Sequence, residues 1–142
     1  MPKRTNHNDR IAAVALFLAL NAGPVKAQVP TVGRIKNVTG SAVLVRDGQE
    51  LPVTVGLVLQ ESDSLRTGAQ ASLGLTLGDG TRLSLGPDTS LYLSRYAFAP
   101  AEKRLALTLR LLRGTLAYIS GQIARLAPAA VTIETPTSII GV

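Results

Sequence analysis

The feature that most constrains the fold is an alternation of leucines on both sides of a glycine-rich break. The break is Gly78–Gly80, and the alternating leucines are Leu73, Leu75, Leu77, Leu83 and Leu85. Apolar residues at every second position are typical of a strand with one buried face, and Asp-Gly is a common turn dipeptide. A three-residue loop pairs Leu75 with Leu83 and keeps all the leucines on one face, whereas a two-residue loop separates the two rows. The sequence therefore predicts a β-hairpin with a three-residue turn in which Gly80 has a positive φ angle.

Short strand-like segments separated by glycine, proline or aspartate fill the rest of the chain. They are predicted at residues 31–38, 41–46, 51–55, 57–59, from 91 onward, 104–112, 115–120, 130–134 and 138–142. Residues 122–126 are expected to form a loop or one helical turn. Strands that recur about every 8–12 residues are typical of sandwiches, barrels and solenoids. The predicted class is all-β, either a β-sandwich or a twisted β-solenoid of about ten short strands.

The N-terminal segment predicts export. Residues 1–10 include three basic side chains, residues 11–20 form an unbroken apolar run, and Val25-Lys26-Ala27 resembles a cleavage site. The apolar run is shorter than the roughly 20 residues that a membrane-spanning helix needs. We therefore predict a signal peptide over residues 1–27, cleavage after Ala27, and a periplasmic all-β domain over residues 28–142 with no stable membrane span.

Few residues remain for catalysis once the predicted leader is removed. The chain has no cysteine, and its one histidine, His7, lies in the leader. Residues 28–142 therefore contain no histidine to activate a nucleophile and no thiolate or imidazole to bind a metal ion. Glu61 and Asp63 would suit a hard cation or a glycosidase, but aspartate and glutamate at turns are more often structural. No enzymatic activity, cofactor or metal site is predicted.

The charged and aromatic residues of the domain could form either an ordinary solvated surface or a binding surface for nucleic acid or sugars. Without the leader, 11 basic and 8 acidic residues remain, and the arginines are spread along the strands. This pattern favours a solvated face over a nucleic-acid stripe. Tyr92 and Tyr96, with Phe98, alternate around Arg95 and would suit a stacking platform for sugars or nucleic acid, although such residues more often cap a β-core. Export further disfavours nucleic acid as a partner.

A series of short motifs runs through the chain in a defined order. The residues that carry them are Gly33, Gly40, Gly56, Asp63, Thr67, Asp79, Gly80, Gly114, Thr135, Pro136 and Gly141. In this order and spacing the motifs resemble the FecR-type periplasmic domain over about residues 31–142. In that family a glycine usually precedes the aspartate that corresponds to Asp63, and this position is Ser62 here. The Arg-Gly-Thr signature would follow Val142, so the domain is expected to be truncated at this point.

The resemblance implies an envelope module that senses a signal or docks an envelope protein without catalysis. Exposed strand edges are the expected docking elements, because an incomplete last strand leaves backbone groups unpaired. Two alternatives remain: a carbohydrate-binding module that uses Tyr92 and Tyr96, or a structural domain of a larger surface protein. Such domains are associated with transmembrane sigma-factor regulation, but only ten residues precede the apolar run, so that role is not expected here.

Overall fold

Twelve strands form two sheets in the computed structural model, which describes residues 29–137 and 139–141. The strands are β1 Gly33–Thr39, β2 Ala42–Arg46, β3 Gln49–Pro52, β4 Val58–Leu59, β5 Ser64–Thr67, β6 Ser72–Leu77, β7 Arg82–Leu85, β8 Ser90–Ala99, β9 Arg104–Arg113, β10 Leu116–Ile119, β11 Val131–Glu134 and β12 Ile139–Gly141. One helix, α1 Gln122–Leu126, and two 3₁₀ turns, Pro100–Glu102 and Pro128–Ala130, complete the described secondary structure. None of the helices in these ranges is long and apolar enough to cross a membrane. The predicted signal peptide lies outside the described residues.

The fold is an all-β sandwich, which resolves the choice between sandwich and solenoid. The five-stranded sheet has the order β10-β7-β6-β1-β4, and the seven-stranded sheet has the order β12-β11-β9-β8-β5-β2-β3. Neighbouring strands are antiparallel except β9 and β11, which run parallel. A parallel neighbour requires the chain to cross over. Here β10 and α1 make that crossing from one sheet to the other.

The central hairpin has the predicted register. Leu75 pairs with Leu83 and Leu73 pairs with Leu85, so the leucine rows share one face. The backbone N–H of Leu77 donates to the carbonyl of Thr81 at 2.8 Å, which closes a three-residue loop. Gly80 has a φ of +89°, as the bulged turn requires.

The core between the sheets consists of aliphatic side chains from both. The largest fully buried members are Ile35, Leu44, Leu59, Leu65, Leu75, Leu83, Leu85, Leu91, Leu93, Leu107, Leu109 and Ile123. The helix contributes Ile123, which lies one residue into its first turn. Of the loop or single helical turn expected at residues 122–126, the structure shows the helical turn, which is stabilised by burial of Ile123.

Apart from shifts of one or two residues at strand ends, the strands differ from the prediction in two places. The strand predicted at residues 51–55 lies at Gln49–Pro52, because Asp47 and Gly48 both have positive φ and form a two-residue hairpin that pairs Arg46 with Gln49. Residues 64–67, for which no strand is predicted, form β5 inside the seven-stranded sheet. A strand of four residues between polar turns shows too few alternations to stand out in the sequence.

Candidate functional site

The last strand, β12, forms one edge of the seven-stranded sheet. It pairs with β11 on one side, where Ile140 faces Ile133 and Ile139 faces Glu134. Both of its isoleucine side chains are exposed to solvent, Ile139 to 74% and Ile140 to 49%. Edge strands present unpaired N–H and C=O groups that can pair with another extended segment. This edge is therefore chemically suited to strand addition.

The opposite edge of the same sheet, β3, is built differently. It contains Pro52, which has no N–H to donate, and Glu50, which forms an ion pair with Arg66 on β5. Proline and charged side chains are the usual means of keeping an edge from pairing. β12 has neither, so the two edges of the sheet are not equivalent as docking surfaces.

Tyr92 and Tyr96 lie on opposite faces of β8. The pairing with β9 shifts by one residue between Leu93 and Arg95, so Ser94 is an extra residue. Before this bulge, Tyr92 faces Arg110 on the outer side of the sheet; after it, Tyr96 faces Leu107 and packs on the core. A bulge reverses the alternation of side chains along a strand. The two tyrosines therefore do not form one stacking platform.

The Tyr96 side chain ends inside the sandwich. Its hydroxyl oxygen is buried and has no hydrogen-bond partner among the described residues, and it lies close to Gly78 and Asp79. Burial, reinforced by the nearby Asp79 carboxylate, raises the pKa of Tyr96 to about 12. The Tyr118 hydroxyl is similarly buried, and its pKa is raised mainly for the same reason. Neither hydroxyl is placed to contact a ligand at the surface.

Asp79 links the central hairpin to α1. The side chain is fully buried and accepts hydrogen bonds from the Thr81 hydroxyl at 2.8 Å and from the Ile123 backbone N–H at 3.1 Å. Its own carbonyl accepts the N–H of Gln122 at 2.9 Å. We call this contact the turn-helix latch. The sequence identified Asp79 as a turn residue but held no signal for a partner 44 residues away.

Asp63 is held by Arg46, and this corrects the expectation that the arginines of the strands, Arg46 among them, lie on a solvated face. Arg46 Nε donates to Asp63 Oδ1 at 2.9 Å, and Arg46 Nη2 donates to Oδ2 at 2.7 Å. The same Nη2 donates to the carbonyl of Val58, and the N–H of Gln60 donates to Asp63 Oδ2. A signal existed, because Arg46 follows the buried Leu44 by two residues and so belongs to the inner face of β2.

Glu61, two residues before Asp63, accepts its hydrogen bond from a different part of the fold. Its Oε2 accepts the backbone N–H of Tyr96 at 2.9 Å, beside the β8 bulge. The two carboxylates therefore have separate partners and do not form the paired site that a glycosidase would use. No group of three or more histidine, cysteine, aspartate or glutamate side chains in the described ranges could hold a metal ion.

Thr67 belongs to a cluster of three threonines at one end of the sandwich. Its hydroxyl donates to the carbonyl of Gly86 at 2.7 Å and accepts the N–H of Thr89 at 2.9 Å. The Thr89 hydroxyl in turn accepts the N–H of Thr115 at 3.1 Å. Gly114 packs directly against Thr89, since a Cβ there would lie 2.3 Å from the Thr89 hydroxyl oxygen. We call Thr67, Thr89 and Thr115 the threonine cluster.

The remaining motif residues do not converge on one site within the described residues. Gly33 lies in β1, Gly40 and Gly56 in turns, Thr135 and Pro136 between β11 and β12, and Gly141 at the end of β12. Gly33 has a packing role, because a Cβ there would lie 2.4 Å from the carbonyl oxygen of Thr76. The motifs thus coincide with turns and close contacts of the scaffold.

Comparisons with known proteins agree with this scaffold. A family model described as FecR protein matches residues 63–142, which is more than half of the chain. The match begins at the buried Asp63 and runs from β5 to the last strand. No curated protein matches the chain, and no solved structure matches it.

Proposed function

Because this chain belongs to the FecR family of envelope sensing proteins, we propose that it is an exported periplasmic module that docks an envelope protein partner without catalysis. The family match supports a regulatory role, and the predicted signal peptide over residues 1–27 supports export. The motif residues described above serve as scaffold in this proposal. Recognition is assigned instead to a sheet edge.

The observation that carries the proposal is the edge of β12, which no other strand covers among residues 29–137 and 139–141. A partner segment that pairs with residues 139–141 would extend the seven-stranded sheet by one strand. Its backbone hydrogen bonds would supply affinity, and pockets for alternate side chains would supply specificity. Burial of Ile139 and Ile140 would add roughly 1 kcal/mol or more each, given how much of each side chain is now exposed.

Site-specific photocrosslinking in the intact envelope tests this proposal. With a photoreactive residue in place of Ile140, we expect an adduct with one discrete envelope protein. Adding Ile139→Lys should abolish the adduct, because an edge lysine disfavours strand pairing. Val55→Lys is the matched control, since Val55 is 66% exposed and lies outside any strand. An adduct that survives Ile139→Lys, or that Val55→Lys removes equally, would refute docking at β12.

Of the two tyrosines in the carbohydrate-binding alternative, only Tyr92 lies on the outer face, because Tyr96 packs on the core. Retention on peptidoglycan that Tyr92→Ala abolishes, together with no protein adduct from position 140, would favour that alternative.

A further inference from the structure

An open hollow of about 610 Å³ lies beside the β8–β9 hairpin and is lined by residues 94–97, residues 103–106 and Glu61. Ala97 and Ala106 pair directly across the two strands and line it. Because both side chains are single methyl groups, they leave space above the sheet. Arg95 and Arg104 belong to the same outer face of the hairpin as these alanines, lie on either side of them along the strands, and both line the hollow. Sites of this size accommodate small molecules or the head groups of larger ones.

Basic groups predominate around the hollow. Arg95, Lys103 and Arg104 line it, and Glu61 is the one acidic residue in its lining. Arg95 and Lys103 form no ion pair within the described ranges. Arg104 faces Glu102 at 3.6 Å, but both side chains are about two-thirds exposed. Exposed pairs of this kind are weak, so Arg104 remains available to a ligand.

The lining favours an oxyanion over a neutral sugar. Tyr96 contributes to one wall, but its ring packs on the core and its hydroxyl is buried. Sugars are commonly stacked on exposed aromatic faces, and this hollow offers none among the described residues. Guanidinium groups bind phosphate through paired N–H donors in a fixed planar geometry. Arg95 and Arg104 are offset by four residues along the strands, roughly 13 Å, so they can hold a ligand from two sides.

We propose that this hollow binds a phosphate-bearing ligand between Arg95 and Arg104, with Lys103 adding charge at the hairpin end. A phosphate monoester carries up to two negative charges and three acceptor oxygens, so it suits three basic groups better than a single carboxylate does. The phosphate would come either from a phospholipid surface or from a soluble phosphorylated molecule. This site is separate from the β12 edge and does not depend on docking there.

Glu61 tunes this site. Its carboxylate accepts the Tyr96 N–H and brings a negative charge to the wall of the hollow. Glu61→Gln keeps an oxygen that can accept the same N–H but removes the charge. We therefore expect this variant to bind phosphate several-fold more tightly, because Coulomb repulsion at the wall is lost.

An NMR titration of the purified protein tests the site. The probes are glycerol phosphate at constant ionic strength and, separately, vesicles of phosphatidylcholine with or without phosphatidic acid, whose head group is also a phosphate monoester. We expect amide shift changes centred on Ala97 and Ala106. The double variant Arg95→Gln/Arg104→Gln should weaken binding by roughly tenfold or more, because charge-assisted hydrogen bonds are lost.

The matched control is Arg34→Gln/Arg82→Gln. These arginines flank Thr76 on the outer face of the five-stranded sheet, so the variant removes the same charge elsewhere. It should bind the probes as the unmodified protein does. Response to glycerol phosphate supports a soluble ligand, and response to phosphatidic acid vesicles alone supports a lipid surface. Shifts spread over both sheets, equal weakening by the control, no response to either probe, or no effect of Glu61→Gln would overturn the proposal.

Discussion

Ser62 occupies a backbone conformation that favours glycine over residues with a side chain. Its φ is +73°, in the left-handed region that glycine adopts most easily. Two hydrogen bonds to Leu93 impose this geometry: the Ser62 N–H donates to the Leu93 carbonyl, and the Leu93 N–H donates to the Asp63 carbonyl. The motif resemblance places a glycine here, so this chain carries a side chain where the backbone does not favour one.

Ser62→Gly is therefore expected to stabilise the protein. The gain should be about 0.5–1 kcal/mol, because relief of left-handed strain exceeds the entropy that glycine adds to the unfolded chain. Ser64→Gly is the matched control. Ser64 lies in β5, so the same change should cost about 0.5–1 kcal/mol there. Urea unfolding of both variants measures these values, and a loss of stability in Ser62→Gly would contradict the argument.

At the scale of elements, the turn-helix latch explains why so short a helix exists. Helix α1 has five residues and no side-chain cap of its own at Gly121. Isolated helices of this length are not stable in water. Asp79 supplies the missing acceptor for the Ile123 N–H, and burial of Ile123 supplies the hydrophobic contact. The helix is therefore a tertiary feature in which local sequence has only a small part.

Asp79→Asn should weaken the latch. An amide retains one acceptor oxygen but places N–H donors where the carboxylate accepted bonds, so we expect a loss of about 1–3 kcal/mol in the free energy of unfolding. Hydrogen exchange at Ile123 should accelerate more than at Leu75. Asp88→Asn, at an exposed turn residue with positive φ, should change stability by less than about 0.5 kcal/mol. Equal exchange at Ile123 in Asp79→Asn and the unmodified protein would exclude the latch.

The elements also show which parts of the fold were predictable. The central hairpin was predicted to the residue, because its leucine alternation, its turn and the φ of Gly80 are all local properties. The bulge at Ser94 was not predicted, although it decides which face Tyr96 occupies. Ser94 is an ordinary strand residue, and its extra place in β8 is visible only against the register of β9. The alternation along β2 indicates that Arg46 faces inward, but its pairing with Asp63 and the contacts of the threonine cluster depend on which strands are neighbours.

In the whole molecule, polar contacts join the two sheets where the aliphatic core ends. Arg46 on β2 reaches both Asp63 and the carbonyl of Val58 on β4, in the other sheet. The threonine cluster joins β5 to the chain entering β10, and the latch joins the β6–β7 turn to the crossover helix. Leucine packing is tolerant of small shifts, whereas hydrogen bonds to buried groups are directional. We infer that these contacts select the relative position of the sheets.

The raised pKa of Tyr96 predicts a specific alkaline limit to the stability of the whole molecule. Tyrosine in an unfolded chain loses its proton near pH 10, whereas Tyr96 in the folded protein holds it to about pH 12. The unfolded state therefore binds fewer protons in this window, and the free energy of unfolding should fall as pH rises from about 10 to 12. Below that window this group contributes no pH dependence.

Tyr96→Phe should reduce this alkaline slope, because the titrating hydroxyl is removed. Chemical unfolding of the variant and the unmodified protein across pH 8–12 makes the comparison, where Tyr118 is expected to leave a residual slope in both. Below about pH 9 the difference between the two proteins should be constant, which serves as the internal control. An unchanged slope in Tyr96→Phe would show that the buried hydroxyl does not govern the alkaline loss.

The position of β1 inside the five-stranded sheet has a consequence for the order of events during synthesis. Both of its neighbours, β4 and β6, come later in the chain, and β6 begins only at Ser72. At typical translation rates of roughly 5–20 residues per second, β1 waits on the order of seconds before its main partner is made. During that interval its Val38 and Ile35 have no sheet to join. Whatever shields the chain during synthesis and export must therefore cover this segment first, and release it only when the central hairpin has emerged on the same side of the membrane.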